Sequence, residues 1–174
     1  MLGHRFIGLA SILIIISGLY VFPAHGHDDP TGVIRALYQA DQPWNGKNIN
    51  LYNPTVLSRY FNSEMTKLFL KLGDISAHCP HGYVCGLDFD PILAAQDYDS
   101  HPDLKLRIEK LSQLGLHIYV VHFTVVKNNR EKLLYKLVHT KDGWRIADII
   151  YPREKTSLTE IIKGLIKGNQ DPKQ

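Results

Sequence analysis

Cysteine is scarce in this chain, and the short motifs of several catalytic classes are missing. Only two of the 174 residues are cysteines, and they are not spaced as Cys-x-x-Cys, so neither a redox motif nor a disulfide-dense miniprotein is indicated. The sequence has no Gly-x-Ser-x-Gly elbow and no glycine-rich phosphate loop, which removes the usual signatures of acyl transfer and nucleotide chemistry. Lysines and arginines are scattered among acidic residues, so nucleic acid is not an expected partner.

A long hydrophobic run occurs only at the N-terminus. Arg5 precedes an almost wholly apolar stretch over residues 7–22, and the segment closes on a small-x-small pattern that ends at Gly26. This pattern predicts a signal peptide over residues 1–26 and a mature protein in the periplasm or outside the cell, with no stable membrane association after cleavage. The alternative is an uncleaved inner-membrane anchor, although about sixteen apolar residues are few for a spanning helix.

Apolar residues recur at helical spacing in three places. The first helix is predicted over residues 30–41, where an Asp-Pro pair begins it. A second, long helix follows an Asn-Pro pair and carries an apolar stripe from Leu57 to Leu72, with Gly73 placed to end it. A capping box at residues 157–160 predicts a C-terminal amphipathic helix that packs on the rest of the domain.

After residue 103 the apolar period shortens from about 3.6 residues to two, as is typical of strands with one face in water. Strands are predicted over about 104–109, 119–125, 133–137 and 144–148, and the short turns between them indicate an antiparallel meander. The sequence therefore predicts an α+β fold in which helices cover one face of a curved sheet of about four strands. This domain is expected to span residues 27–168, followed by a disordered tail over 169–174.

Two segments carry a resemblance to a known family. They are residues 86–97 (GLDFDPILAAQD) and residues 143–151 (GWRIADIIY), and with the order of elements they resemble the bacterial exported domain-of-unknown-function family 3828. The resemblance implies a nuclear-transport-factor-2-like, or cystatin-like, roll and a candidate site around four residues, Asp88, Asp90, Gln96 and Asp97. No activity comes with this family, and the roll serves both enzymes and non-catalytic binding domains. It also allows a homodimer through the exposed sheet face.

The two cysteines lie in the long connection between helices and sheet. An oxidising compartment permits a disulfide between Cys79 and Cys85, worth about 2 kcal/mol by the entropy of closing a short loop. The alternative is a metal site that adds His78 and His81, but the cysteines are further apart than the pairs of structural zinc sites. The disulfide is the favoured prediction, and no metal is expected.

Acidic residues also crowd this connection. A hand-type calcium loop starting at Asp97 is excluded, because Pro102 occupies the position that requires glycine and Ile108 the position of the bidentate glutamate. Asp90 has two interpretations: a pocket carboxyl whose pKa is raised by apolar neighbours, or a helix cap at an Asp-Pro start. Asp97 is expected to act as a pocket group or as a loop acceptor.

Two functions are compatible with this set of residues. The first is an exported non-catalytic binding domain of the cell envelope, without a cofactor, which holds a protein or small-molecule ligand on its concave face or on the segment 74–103; an immunity or inhibitor protein is one version. The alternative is a small isomerase-like or dehydratase-like enzyme, with Asp90 or Asp97 as base and Tyr119 as hydrogen-bond donor. Tyr119 and Trp144 are also candidate ligand-binding residues.

Overall fold

A computed structural model describes residues 28–99, 104–113, 116–126 and 129–169. The predicted signal peptide lies outside these residues, as does the tail beyond Asn169. The helices and strands, in chain order, are α1 (Pro30–Ala40), α2 (Pro54–Tyr60), α3 (Ser63–Ala77), β1 (Arg107–Gln113), β2 (Leu116–Val126), β3 (Asn129–Thr140), β4 (Gly143–Tyr151), β5 (Thr156–Ser157) and α4 (Leu158–Gly168). None of the helices in the described ranges has the length and apolar character needed to cross a membrane.

The α+β fold predicted from the sequence is confirmed. The sheet runs in the order β1-β2-β3-β4-β5, and every neighbouring pair is antiparallel, as in the predicted meander. It has five strands where about four were predicted, because the two residues of β5 pair with the end of β4. Ser157 of β5 then forms the predicted capping box with Glu160, which starts α4 directly at the edge of the sheet.

The second predicted helix is divided in two, which corrects the expectation of one long helix ending at Gly73. Phe61 adopts an extended conformation, and the amide of Asn62 donates to the carbonyl oxygen of Ile146 in β4 at 2.9 Å. The Asn62 side chain then accepts from the amide of Met65 and caps α3. The helix continues through Gly73 to Ala77, and the glycine makes room for the ring of Tyr52 instead of ending the helix.

The predicted stripe from Leu57 to Leu72 faces the core as expected. Leu57, Phe61 and Leu72 are buried on the helix side, and they pack in one cluster with apolar residues of α1, α4 and the sheet. In β2 the buried residues Tyr119, Val121, Phe123 and Val125 alternate with less buried ones, so this face of the strand meets the helices. The core therefore lies between one sheet face and the helices, and the long connection after α3 adds Ile92 and Leu93 to it.

Candidate functional site

The four acidic and amide residues of the predicted site do not form one group. The Gln96 amide donates to the carboxylate of Asp88 at 3.4 Å, and both residues are exposed. Asp97 is exposed as well. Asp90 is half-buried, and its Oδ1 accepts from the amides of Ile92 and Leu93 at 2.8 and 3.1 Å.

Asp90 acts as a cap, as one of its two interpretations proposed, but no helix follows it. The chain makes a turn over residues 91–94 and returns, so that the Asp90 amide donates to the carbonyl of Ala95 at 2.9 Å. Ala94 has a φ of 50°, which lies outside the right-handed helical region. The chain therefore makes a single turn here and does not continue as a helix. The carboxyl of Asp90 is thereby held in place by its own backbone.

The structure brings Asp90 together with a residue that the sequence did not single out. Asp41 follows α1, is only 5% exposed, and accepts a hydrogen bond from the amide of Ile49 at 3.1 Å through Oδ1. Desolvation raises the pKa of Asp41 to about 7, and the nearby carboxyl of Asp90 adds to the rise. The buried Asp41 and the half-buried Asp90 are therefore an electrostatically interacting carboxyl pair.

Three tyrosines surround this carboxyl pair. The hydroxyl of Tyr135 donates to that of Tyr38, which donates to the carbonyl of Ile92, and the hydroxyl of Tyr151 donates to the carbonyl of Pro91. Burial raises the pKa of each of these tyrosines, and Asp90 raises all three further. The interior near Asp90 is thus occupied by side chains that bind the turn over residues 91–94 to α1 and the sheet.

Tyr119 and Trp144 belong to β2 and β4 of the sheet. Tyr119 is buried, and its pKa is raised by desolvation and then by the charge of Asp29, not by Asp90. Trp144 is half-buried. The centroids of the His117 and His139 rings lie 4.5 and 5.1 Å from the centroid of its ring. Among the described residues no hydrogen bond joins Tyr119 to Asp90 or to the exposed Asp97, and the enzymatic alternative stays a prediction.

The predicted disulfide between Cys79 and Cys85 is confirmed, with a Cα–Cα distance of 5.7 Å. It closes a short loop in which the amide of Tyr83 donates to the carbonyl of Pro80 at 3.2 Å. Gly82 has a φ of 88°, a conformation that glycine adopts without strain. Tyr83 and Val84 at the tip of this loop are each 74% exposed. Large apolar side chains are thus held out in water by a cross-linked backbone.

A third exposed apolar side chain lies at the base of this loop. Tyr52 is 43% exposed and comes from the connection between α1 and α2. Its ring lies so close to α3 that a Cβ on Gly73 would be 2.6 Å from Cδ1 of Tyr52. Its hydroxyl would be 3.4 Å from a Cβ on Gly86, the residue after Cys85. The connection between α1 and α2 therefore meets the connection after α3 here. We call Tyr52, Tyr83 and Val84 the two-loop surface.

The disulfide was predictable from the sequence, whereas Tyr52, Tyr83 and Val84 were not among the predicted site residues. One indication was available: the few residues enclosed by the cysteines include both Tyr83 and Val84, and so short a loop has no room to bury them. Asp41 had no comparable indication, since a single aspartate after a helix is common in exposed positions.

No protein-family model matches this chain, and no curated protein sequence matches it. Among solved structures, it is similar to a chain of the type VI effector-immunity complex Tae3-Tai3 from Ralstonia pickettii, with 23% identity and a TM-score of 0.48 over 70% of this chain and 94% of that chain. The selenomethionine form of that complex gives a TM-score of 0.47. A protein of unknown function from Bacteroides thetaiotaomicron is 19% identical, with a TM-score of 0.46 over 68% and 85% of the two chains. Similarity at this level assigns neither a family nor a function.

Proposed function

We propose that this chain is an exported, non-catalytic binding domain that inhibits another protein by inserting the disulfide-closed loop into a cleft of that protein. An immunity or inhibitor protein of the cell envelope would act in this way. The single observation that supports the proposal is the 74% exposure of both Tyr83 and Val84 at the tip of the loop. Export and membership of family 3828 belong to the same proposal.

The chemistry of the loop tip suits a protein partner. Burying a side chain such as Val84 in a complex contributes about 1.5–3 kcal/mol, and Tyr83 adds a large ring with a polar end and few rotatable bonds. Such aromatic anchors account for much of the binding energy in protein interfaces. A short closed loop with exposed side chains suits a concave cleft, which is the usual shape of an active site.

The disulfide gives the loop a further advantage in binding. A flexible loop loses conformational entropy when a partner orders it, at about 0.5–1.5 kcal/mol for each immobilised side chain, in addition to the cost for the backbone. Here the cross-link between Cys79 and Cys85 and the hydrogen bond from Tyr83 to Pro80 restrict the backbone before binding. The loop therefore presents Tyr83 and Val84 already arranged.

The proposal is tested with a photo-crosslinking amino acid placed in the full chain in its native host. Crosslinkers at positions 83 and 84 are expected to capture one discrete protein, whereas a crosslinker at the exposed Lys136 on the opposite sheet face is expected to capture none. The captured protein is then purified, and Tyr83→Ala is expected to weaken its binding by about 2 kcal/mol, or about thirtyfold in Kd. Capture at all three positions alike, or binding unchanged by Tyr83→Ala, would refute the proposal.

A further inference from the structure

The connection after α3 carries a charge opposite to that of the rest of the chain. All 20 lysines and arginines lie outside residues 74–99, whereas five of the 17 acidic residues lie within them. The chain as a whole has a formal net charge of +3 at pH 7. The disulfide-closed loop therefore belongs to an acidic stretch of an otherwise basic protein.

Asp74 lies on one side of the disulfide-closed loop. It belongs to the last turn of α3, and its side chain is 79% exposed. The imidazole of His78, the residue before Cys79, lies beside it: Nδ1 is 3.7 Å from Oδ1 of Asp74 and 2.8 Å from the carbonyl oxygen of Asp74. This contact places the carboxylate of Asp74 next to the residue from which the loop departs.

Asp88 and Asp97 lie on the other side of the loop. Gly86 follows the second cysteine, and a Cβ on this glycine would be 2.6 Å from Oγ of Ser76 in the last turn of α3. The chain thus returns to the end of α3 two residues before it reaches Asp88. The amide of Gln96 donates to the carboxylate of Asp88, which brings the next residue, Asp97, near it. Both carboxylates are exposed.

Among the described residues, no lysine or arginine forms an ion pair with any of these three carboxylates. Lys71, one turn earlier in α3, is the nearest basic residue in the sequence, and it does not pair with Asp74. The Debye length at physiological salt is about 8 Å, so charges at the base of so short a loop still act on a protein that approaches its tip. That protein meets two apolar side chains inside a negative field.

We propose that the cleft that receives the disulfide-closed loop is basic, with lysine or arginine side chains at its rim and an apolar interior. The rim faces Asp74, Asp88 and Asp97, and the interior receives Tyr83 and Val84. This inference rests on the proposed function, because it describes the partner of the same loop. Charges at a rim act mainly on the association rate and on the choice of partner, whereas apolar anchors slow dissociation. The same charges repel acidic proteins, nucleic acids and anionic lipids.

The first test measures association with the protein captured by the crosslinker at position 83. The association rate constant is expected to fall about tenfold or more between about 0.02 M and about 0.5 M NaCl, because salt screens the attraction between unlike charges. Tyr83→Ala is expected to raise the dissociation rate constant and to leave the salt dependence of association unchanged.

A pair of double variants locates the charges responsible. Asp74→Asn combined with Asp88→Asn keeps an acceptor for Gln96 and is expected to slow association about fivefold, with the dissociation rate constant changed by less than about twofold. The matched control combines Glu64→Gln with Asp142→Asn. These two exposed charges lie in the first turn of α3 and in the turn before β4, the strand beside which α3 starts, about 20 Å from the other end of that helix. The control is expected to associate within about twofold of the wild-type rate.

A second test needs no partner. Two small nitroxide probes that differ only in the sign of their charge are added in turn to the isolated protein, and the paramagnetic relaxation of each amide is measured by NMR. The cationic probe is expected to relax the amides of residues 81–84 at least about threefold more strongly than the anionic probe, because a negative field concentrates cations. The ratio is expected to be smaller in the variant that lacks the charges of Asp74 and Asp88.

The outcomes distinguish this inference from the proposed function. If no protein is captured at positions 83 and 84, the proposed function is refuted, and the basic cleft with it. If a protein is captured but its association is unaffected by salt and by the loss of the Asp74 and Asp88 charges, only the basic cleft is overturned. Equal relaxation of residues 81–84 by the two probes would overturn it as well.

Discussion

At the scale of single residues, glycine has the most specific structural role. Gly73 sits inside α3, where glycine is unfavourable, and its lack of a side chain leaves room for the ring of Tyr52. Gly164 sits inside α4 with nothing within 4 Å of the position of its Cβ. The two glycines are therefore alike in helix propensity and differ in their surroundings.

This difference gives a prediction for Gly73→Ala. Gly164→Ala is expected to raise the free energy of unfolding by about 1 kcal/mol through helix propensity. Gly73→Ala is expected to lose this gain, because its Cβ would displace the Tyr52 ring, and to recover it in a Tyr52→Ala background. Urea denaturation of the wild type, Gly73→Ala, Tyr52→Ala and the double variant measures the coupling free energy between Gly73 and Tyr52. An equal gain from both glycine substitutions in the wild-type background would contradict the packing described here.

Prediction from the sequence works at this scale when the interaction is local. The capping role of Asp90 was recognisable, since Asp-Pro is a local pattern and the capped amides are two and three residues away. The pairing of Asp90 with Asp41 was not recognisable, because the two residues are far apart in the chain and meet only through the fold. For the same reason Tyr119 was predicted as the partner of Asp90, and no sequence pattern indicated Tyr38.

At the scale of elements, the break between α2 and α3 shows how a continuous apolar stripe can mislead. Phe61 and Met65 are both buried and keep the helical spacing, so the pattern gave no indication of a break. The indication lay in the polar pair Asn62-Ser63, a common helix start, and in an amide that pairs with β4 instead of with the preceding turn. Packing on the sheet thus outweighed the continuation of the helix.

The cap at this break leads to a prediction for Asn62→Ala. Removing the side-chain acceptor leaves the amide of Met65 without its partner at the start of a 15-residue helix, so the free energy of unfolding is expected to fall by about 1 kcal/mol. Asn48→Ala is the control, since Asn48 is exposed and lies outside any helix, and its effect is expected to stay within about 0.5 kcal/mol. Thermal or urea denaturation distinguishes the two. A similar effect of both substitutions would show that Asn62 does not act as a cap.

At the scale of the whole molecule, stability and binding are expected to depend on different residues of the disulfide-closed loop. Cys79→Ser combined with Cys85→Ser removes a constraint on the unfolded chain and is expected to lower the free energy of unfolding by about 2 kcal/mol. Tyr83→Ser combined with Val84→Ser changes only exposed side chains and is expected to alter it by less than about 0.5 kcal/mol. Urea denaturation measures both variants. A cysteine variant as stable as the wild type would show that the loop keeps its form without the cross-link.

The overall architecture was accessible from the sequence because it follows from periodicity. A change of apolar period near residue 103 separated helices from strands, and short turns implied antiparallel neighbours, as found in the sheet. The two-loop surface was not accessible in the same way. It brings Tyr52 close to Gly73 in α3 and to Gly86 in the segment after α3, and apolar side chains such as Tyr83 are ordinarily assigned to the core.

The disulfide also separates the shape of the loop from the identity of the residues at its tip. Because the cross-link and the left-handed Gly82 define the backbone, other side chains at positions 83 and 84 leave the scaffold intact. Related proteins could therefore diverge rapidly at these two positions and acquire new targets while every buried residue stays constant. The same property makes the loop a site where an engineer could graft a foreign recognition sequence.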